Sequence, residues 1–242
     1  MTIFKHVPNF LTSLNLFCGT LSVFTAFHGM LMEASVLLFV GALFDFSDGF
    51  AARALKAYSP MGKELDSLAD MVSFGFAPMV MLHMMLKKVM LGSFEADFFV
   101  QLPTTQILIL SPFVATVFSG LRLAKFNVDT RQSESFIGLT TTATGMFLAS
   151  LAFVFDSGSG WLFDLLQNQW MLLAFVPLFS FLLISEIPMF SLKFKNFGFL
   201  NNADKYILLA ASLFFLIWLG MGGIAVAIAL YVSFSMVKLV VK

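Results

Sequence analysis

The chain has 242 residues, of which 59% are hydrophobic and 12% charged, and its formal net charge is zero. A soluble domain has about 45–50% apolar and about 25% charged residues, so this composition excludes an ordinary soluble protein. The zero net charge and the lack of a basic run in the sequence give no indication of a nucleic-acid partner. The composition predicts an integral membrane protein.

Eight apolar segments approach or exceed the length of about 20 residues that a helix needs to cross a bilayer. Because backbone groups in hydrocarbon must be hydrogen-bonded internally, each segment is expected to be a helix. The first segment is longer than a signal-peptide core and lacks a small-residue cleavage site, so we expect it to be a retained span. The predicted spans are 9–28, 32–53, 64–86, 103–124, 140–156, 169–190, 205–219 and 222–240.

Basic residues are distributed unevenly between the two ends of these spans. If the amino terminus is cytoplasmic, only Lys87 and Lys88 of the fourteen Lys and Arg residues lie on the opposite side. Basic residues mark cytoplasmic loops. We therefore expect a multi-pass protein of the cell (inner) membrane, with both termini and the loop 54–61 in the cytoplasm.

An acidic stretch runs from the end of the second span into the start of the third span and interrupts the apolar sequence. On helices, its carboxylates form two short rows, one on each span, that can face each other. An intramembrane charge costs roughly 2.5–3.5 kcal/mol even on lenient scales, so compensating cations are expected. Clustered carboxylate oxygens suit Mg²⁺, Mn²⁺ or Ca²⁺, and no Cys/His pair in the sequence offers a zinc site. The row residues are Asp45, Asp48, Asp66 and Asp70.

The turn between these two spans has features that suit a phosphate ligand. Ser59 and Pro60 are typical of a helix cap and first helical position, so the third helix is expected to begin at Pro60 with its positive dipole end facing the turn. Gly49 and Gly62 leave room for a close-approaching ligand. The planar guanidinium of Arg53 suits a diphosphate or a cytosine edge.

The residues from Asp45 to Asp70 have the spacing D-x2-D-G-x2-A-R-x8-G-x3-D-x3-D, which fixes eight positions in twenty-six. This spacing resembles the signature of the CDP-alcohol phosphotransferases. The stretch 67–78 is similar to the phosphatidylserine synthase branch of that family. With the eight spans predicted from the apolar segments, we expect an all-α integral membrane protein of about eight transmembrane helices. The first six resemble the family's core, which we place at 1–190, and the last two form an extension at 191–242. The resemblance also implies a homodimer.

The resemblance further implies a reaction and its residues. CDP-diacylglycerol and L-serine would give phosphatidylserine and CMP, with two Mg²⁺ or Mn²⁺ ions required. Asp45, Asp48 and Asp66 would bind metal, and Asp70 would contribute to the second ion and act as general base. The residues implied for the CDP-lipid are Pro8, Asn9, Gly49, Ala52, Arg53, Ser59 and Gly62.

Serine recognition needs a cation for the carboxylate of a zwitterionic amino acid. Arg122 and Lys125 lie at the cytoplasmic end of the fourth predicted span, in a stretch that also resembles the synthase branch. We expect Arg122 to contact the serine carboxylate. Basic residues at a helix end also serve simply as topology anchors, so this alternative stays open.

Three other functions compete with this interpretation. Within the family, the acceptor alcohol could be glycerol 3-phosphate or an inositol phosphate, for which Lys125 or Arg131 could supply extra positive charge. Outside enzymes, intramembrane aspartates also form ion relays in transporters. A purely structural membrane protein would tolerate Asp70→Asn without measurable effect.

Overall fold

The computed structural model describes residues 6–129, 137–190 and 202–240, and over these ranges the protein is helical without a β-strand. The all-α fold that the composition predicted is confirmed. The helices in chain order are α1 (Val7–Phe27), α2 (Leu31–Ala54), α3 (Pro60–Leu91), α4 (Pro103–Val128), α5 (Thr141–Ser157), α6 (Trp161–Leu166), α7 (Gln169–Ile184), α8 (Ala203–Leu219) and α9 (Gly222–Val240).

Five of these helices, α1 to α4 and α9, are long and apolar enough to cross a membrane. The helices α5, α7 and α8 have 17, 16 and 17 residues, close to the length a span needs. Together these eight helices match the eight predicted spans, whereas the six-residue α6 was not predicted. The prediction of an integral membrane protein is confirmed.

The predicted end of the sixth span, at residue 190, is wrong. Helix α7 ends at Ile184, because the backbone of Ser185 is extended, with ψ at 150°. Pro188 then disfavours a helical conformation at the residue before it. The segment 185–190 instead runs across the end of the bundle, and Pro188 forms an isolated antiparallel bridge with Ile137.

Helix α3 is the central element of the bundle. Its second half is almost wholly buried, and Met79, Val80 and Met81 each have 0% exposure. Helices α1, α4 and α5 all pack against it, while α2 packs along α1 and α5. Helix α9 packs on α5, and α8 packs mainly on α9. The last two helices are therefore attached to the rest of the bundle through α9.

A π-helical segment, Met71–Phe76, interrupts α3 directly after Asp70. Such segments are frequent at functional sites. A Cβ on Gly19 of α1 would overlap Ser73 Oγ, and one on Gly145 of α5 would lie only 3.0 Å from Phe74 Cα. Both neighbouring helices thus approach this segment closely. Their packing fixes the position of Asp70 along the axis of the bundle.

The loop between α2 and α3 lies at one end of the bundle, which we call the site end. Interhelical contacts gather there: Lys63 Nζ donates to the Asn127 carbonyl at 3.0 Å, and Lys238 pairs with Asp204. Seven of the described basic residues belong to this end, while Lys87 and Lys88 belong to the other. The seven are Arg53, Lys56, Lys63, Arg122, Lys125, Lys205 and Lys238. The topology prediction also used five residues outside the described ranges, Lys5, Arg131, Lys193, Lys195 and Lys242.

Candidate active site

The predicted rows of carboxylates on α2 and α3 do face each other. One ligand oxygen from each of Asp45, Asp48 and Asp66 lies within 4.8 Å of the other two. Asp70 joins the group because it is close enough to Asp45 and Asp66 to interact with both electrostatically. We call these four residues the acidic cluster. Asp48 is only 6% exposed, so the cluster is a partly buried concentration of negative charge.

Helix α1 supplies a polar contact to this cluster. The hydroxyl of Thr12 lies 2.5 Å from Asp48 Oδ2 and 3.0 Å from the carbonyl oxygen of Pro8. Thr12 is itself buried, at 3% exposure, because α1 packs closely against α2. The contact fixes the orientation of the Asp48 carboxylate.

No cluster residue forms an ion pair within the described part of the chain. The carboxylates of Glu186 and Asp204 pair instead, with Lys125 and Lys238. Arg122 interacts electrostatically with Asp70. Like charges at this spacing repel each other, so the cluster as a whole favours bound cations.

The donor set fits a hard divalent cation. Its ligand atoms are all carboxylate oxygens, which Mg²⁺, Mn²⁺ and Ca²⁺ prefer. Two oxygens on one Mg²⁺ lie at most about 4.2 Å apart, so a set within 4.8 Å closes on an ion with small side-chain shifts. Asp70 Oδ1 is buried and has no hydrogen-bond partner among the described residues, which leaves it free to act as a further ligand or as a base.

A cavity of about 240 Å³ opens beside the cluster between α1, α2 and the start of α3. Asp48 and Asp66 form part of its wall. All seven residues that the resemblance implied for the CDP-lipid line this cavity. The full lining is Pro8, Asn9, Thr12, Asp48, Gly49, Ala52, Arg53, Ala57, Tyr58, Ser59, Gly62, Lys63 and Asp66.

The start of α3 is built as the sequence predicted. Pro60 is the first helical residue, and the backbone N–H of Gly62 donates to Ser59 Oγ at 2.9 Å. Because Pro60 has no N–H and the Gly62 N–H is used by the cap, the positive charge on this wall of the cavity comes from the helix dipole.

The reason for glycine at position 62 differs from the one expected. A Cβ there would lie 2.8 Å from Asn9 Oδ1 and 3.0 Å from Ser59 Oγ. The protein's own polar side chains, rather than a ligand alone, occupy the space beside Gly62. At Gly49 the nearest atom to such a Cβ is Arg53 Nη1, at an ordinary contact distance of 3.5 Å. The space at Gly49 is therefore open toward the cavity and the Arg53 guanidinium.

Arg122 does not line this cavity but interacts with Asp70, a cluster residue that is also absent from its lining. Arg122 is 7% exposed, and its guanidinium lies 4.9 Å from the Phe126 ring centre. Its Nη2 is buried without a hydrogen-bond partner among the described residues. The sequence-predicted site therefore has two parts, the residues implied for the CDP-lipid around the cavity with Asp48 and Asp66, and Arg122 beside Asp70.

Lys125, which the competing interpretation assigned to a phosphate acceptor, is paired with Glu186 at 3.0 Å. Arg131, the other candidate for that role, lies outside the described residues. Lys63 lines the cavity, and its Nζ donates to the Asn127 carbonyl. It therefore connects the cavity with the end of α4.

Two buried residues of α1 lie near the site without having been predicted from the sequence. Thr12 contacts Asp48, and Asn15 is 0% exposed with neither amide atom hydrogen-bonded within the described part of the chain. Pro8, Thr12 and Asn15 follow the i, i+4, i+7 spacing of one helix face. This spacing was the available signal that all three point toward α2 and α3.

The fold and the site together define the class of the protein: a multi-helix membrane protein with an acidic, cation-binding type of site beside a polar cavity at one end of its bundle. A family model described as CDP-alcohol phosphatidyltransferase matches residues 5–185. The chain belongs to this family.

Three curated relatives show how far the likeness extends. The CDP-diacylglycerol–serine O-phosphatidyltransferase of Bacillus subtilis (strain 168) is 34% identical over 153 residues, 63% of this chain and 78% of its own length. The enzyme of the same name from Helicobacter pylori (strain ATCC 700392 / 26695) is 27% identical over 234 residues, 96% of this chain and 90% of its own length. The archaetidylserine synthase of Methanothermobacter thermautotrophicus is 30% identical over 153 residues, 62% of this chain and 59% of its own length.

Proposed function

We propose that this protein transfers the phosphatidyl group of CDP-diacylglycerol to the hydroxyl of L-serine, giving phosphatidylserine and CMP. The observation that carries the proposal is the setting of the acidic cluster. A cavity beside it is lined by every residue implied for the CDP-lipid, and the buried cation of Arg122 interacts with Asp70 of the cluster. The names of the bacterial relatives give the same donor and acceptor, and the archaeal relative is also named for a serine product.

On the donor side, the CDP-lipid residues hold the nucleotide and diphosphate. The positive dipole end of α3 favours a phosphate, and Arg53 offers two parallel donors to the diphosphate or the cytosine edge. Asp45, Asp48 and Asp66, with Asp70, would hold two Mg²⁺ or Mn²⁺ ions. When bound, these ions neutralise diphosphate charge and polarise its P–O bonds.

On the acceptor side, Asp70 takes the proton of the serine hydroxyl. The hydroxyl oxygen forms a bond to the phosphorus that carries diacylglycerol, and the bond from that phosphorus to the bridging oxygen breaks, so CMP leaves with the electron pair. Arg122 binds the serine carboxylate and so orients the hydroxyl toward Asp70. Its buried, unpartnered Nη2 supports this role.

Serine is favoured over a phosphate-monoester acceptor because such an acceptor needs additional cations. Lys125 is already paired with Glu186, although both side chains are partly exposed. We further propose that the site end faces the cytoplasm of the cell (inner) membrane, since the described basic residues concentrate there. The family likeness supports a homodimer, and the match to residues 5–185 supports a catalytic core at 1–190 with an extension at 191–242.

The test is the lipid product formed by purified protein from CDP-diacylglycerol with Mg²⁺ or Mn²⁺. L-serine, glycerol 3-phosphate and inositol phosphate are supplied separately, and the products are identified by mass spectrometry. We expect phosphatidylserine and an equimolar amount of CMP when serine is the acceptor, and no product with the other two acceptors. A phosphatidylglycerol-phosphate or phosphatidylinositol-phosphate product would overturn the choice of acceptor. Cation flux into proteoliposomes without CMP release would favour the transporter instead.

A further inference from the structure

The segment 185–190, which we call the strap, connects the carboxyl-terminal helix α9 to the acceptor side of the site. Its far end is held by α9 through both backbone polar groups of Phe190. The Phe190 N–H donates to Ser235 Oγ at 3.1 Å, and Tyr231 Oη donates to the Phe190 carbonyl at 2.9 Å. Lys238 Nζ also lies 4.1 Å from the centre of the Phe190 ring.

The middle of the strap holds the turn that leads into α5. The Gly138 N–H donates to the Ile187 carbonyl at 2.9 Å, and Ile137 bridges to Pro188. Gly138 has a φ of +73°, and a Cβ on it would lie 2.8 Å from the Ser185 carbonyl oxygen. Only glycine fits this close approach, so the turn and the strap are matched to each other.

The near end of the strap holds α4. Glu186 Oε1 accepts from Lys125 Nζ at 3.0 Å. Lys125 lies three residues after Arg122, almost one helical turn, so this ion pair restrains the same stretch of α4 that presents Arg122. The strap therefore contacts both elements beside the acceptor side, the end of α4 and the turn before α5.

From this geometry we propose that α9, acting through the strap, positions the acceptor side of the site and so sets the affinity for the acceptor alcohol. Tyr231 and Ser235 are positioning residues in this account, because they touch the strap backbone and not the substrate. The inference rests on the proposed function for the identity of the acceptor. It assigns a role in catalysis to a helix that lies beyond the residues matched by the family model.

The test compares Tyr231→Phe/Ser235→Ala with Ser233→Ala, which removes an exposed hydroxyl from the same helix. In the double variant we expect the KM for serine to rise about three- to tenfold, as for the loss of one or two hydrogen bonds. The KM for CDP-diacylglycerol should stay unchanged. Ser235→Ala alone is the milder variant and should show a smaller rise in the same KM.

Hydrogen exchange gives a readout that does not depend on turnover. Faster exchange is expected at the amides of Gly138 and Leu139, while the Gly29 amide at the opposite end serves as reference. Unchanged exchange at Gly138, or an equal rise in both KM values, would overturn the inference. If the wild-type protein used a different acceptor alcohol, the proposed function would be wrong. The KM for that acceptor and the hydrogen exchange at Gly138 would still test the role of the strap.

Discussion

The hydroxyl of Thr12 on α1 lies 2.5 Å from the carboxylate of Asp48 on α2, although the two residues are 36 positions apart in the chain. A hydrogen bond of this kind orients the carboxylate that we propose as a metal ligand. Losing such an outer contact typically weakens metal binding about 10- to 100-fold.

We therefore expect Thr12→Val, which keeps the side-chain shape, to weaken Mn²⁺ binding about tenfold. Titration of the purified protein with Mn²⁺, followed by electron paramagnetic resonance, measures this affinity directly. Thr20→Val is the matched control, since Thr20 is an exposed threonine of the same helix whose hydroxyl donates to the Leu16 carbonyl at 2.8 Å. Equal affinity in wild type and Thr12→Val would contradict the role given to this contact.

Removal of divalent cations is expected to abolish CMP release, and addition of Mg²⁺ or Mn²⁺ to restore it. The Asp66→Asn variant should bind Mn²⁺ at least about 100-fold more weakly, because a direct ligand is lost rather than an outer contact. Glu64→Gln changes an exposed carboxylate two residues away and should behave as wild type. Activity that survives exhaustive chelation would rule out the metal-dependent account.

The two sides of the acidic cluster should separate in their kinetics. We expect Arg122→Gln to raise the KM for serine about 10- to 100-fold, which corresponds to the free energy of one charge-assisted hydrogen bond. The KM for CDP-diacylglycerol should change much less. Arg53→Gln should show the reverse pattern, since Arg53 lines the nucleotide cavity. Steady-state kinetics with each substrate varied in turn measure both values. Equal changes in the two KM values for Arg122→Gln would argue that Arg122 is only a topology anchor.

Two glycines of the motif should differ in how they tolerate alanine. At Gly62 a Cβ would meet Asn9 Oδ1 at 2.8 Å and Ser59 Oγ at 3.0 Å, so the substitution should disturb the helix cap. Loss of a cap costs about 1 kcal/mol, and the melting temperature of the substrate-free protein should fall. Gly49→Ala meets only Arg53 at 3.5 Å and should leave this temperature unchanged. A similar fall for both variants would show that the contacts at Gly62 are not the cause.

Local spacing was enough to predict much of the site. The positions of Asp45, Asp48, Asp66 and Asp70 repeat at helical intervals, so the two facing rows follow from the sequence. The Ser59 cap is equally local, because its partner is three residues away. Spans were predicted well wherever apolar runs end at charged or proline residues.

Features that depend on how helices meet could not be predicted in this way. The contact of Thr12 with Asp48 requires α1 and α2 to cross at one particular register. The π-helical segment at Met71–Phe76 has no local signal, since it reflects the close approach of Gly19 and Gly145 from other helices. The end of α7 at Ile184 was missed because the predicted span was continued across Ser185 and Glu186 to the apolar residues 187–190, while Pro188 and the contacts of the strap end the helix earlier.

The most direct test of the central claim uses Asp70→Asn, a substitution that keeps the side-chain shape and removes the base. Serine-dependent CMP release from CDP-diacylglycerol is measured beside binding of the CDP-lipid by the same preparation. We predict that the variant still binds CDP-lipid in the presence of Mn²⁺, while CMP release falls about 10²- to 10⁴-fold, as expected for loss of a general base. CMP release at the wild-type rate would contradict the assignment of Asp70 and with it the proposed mechanism.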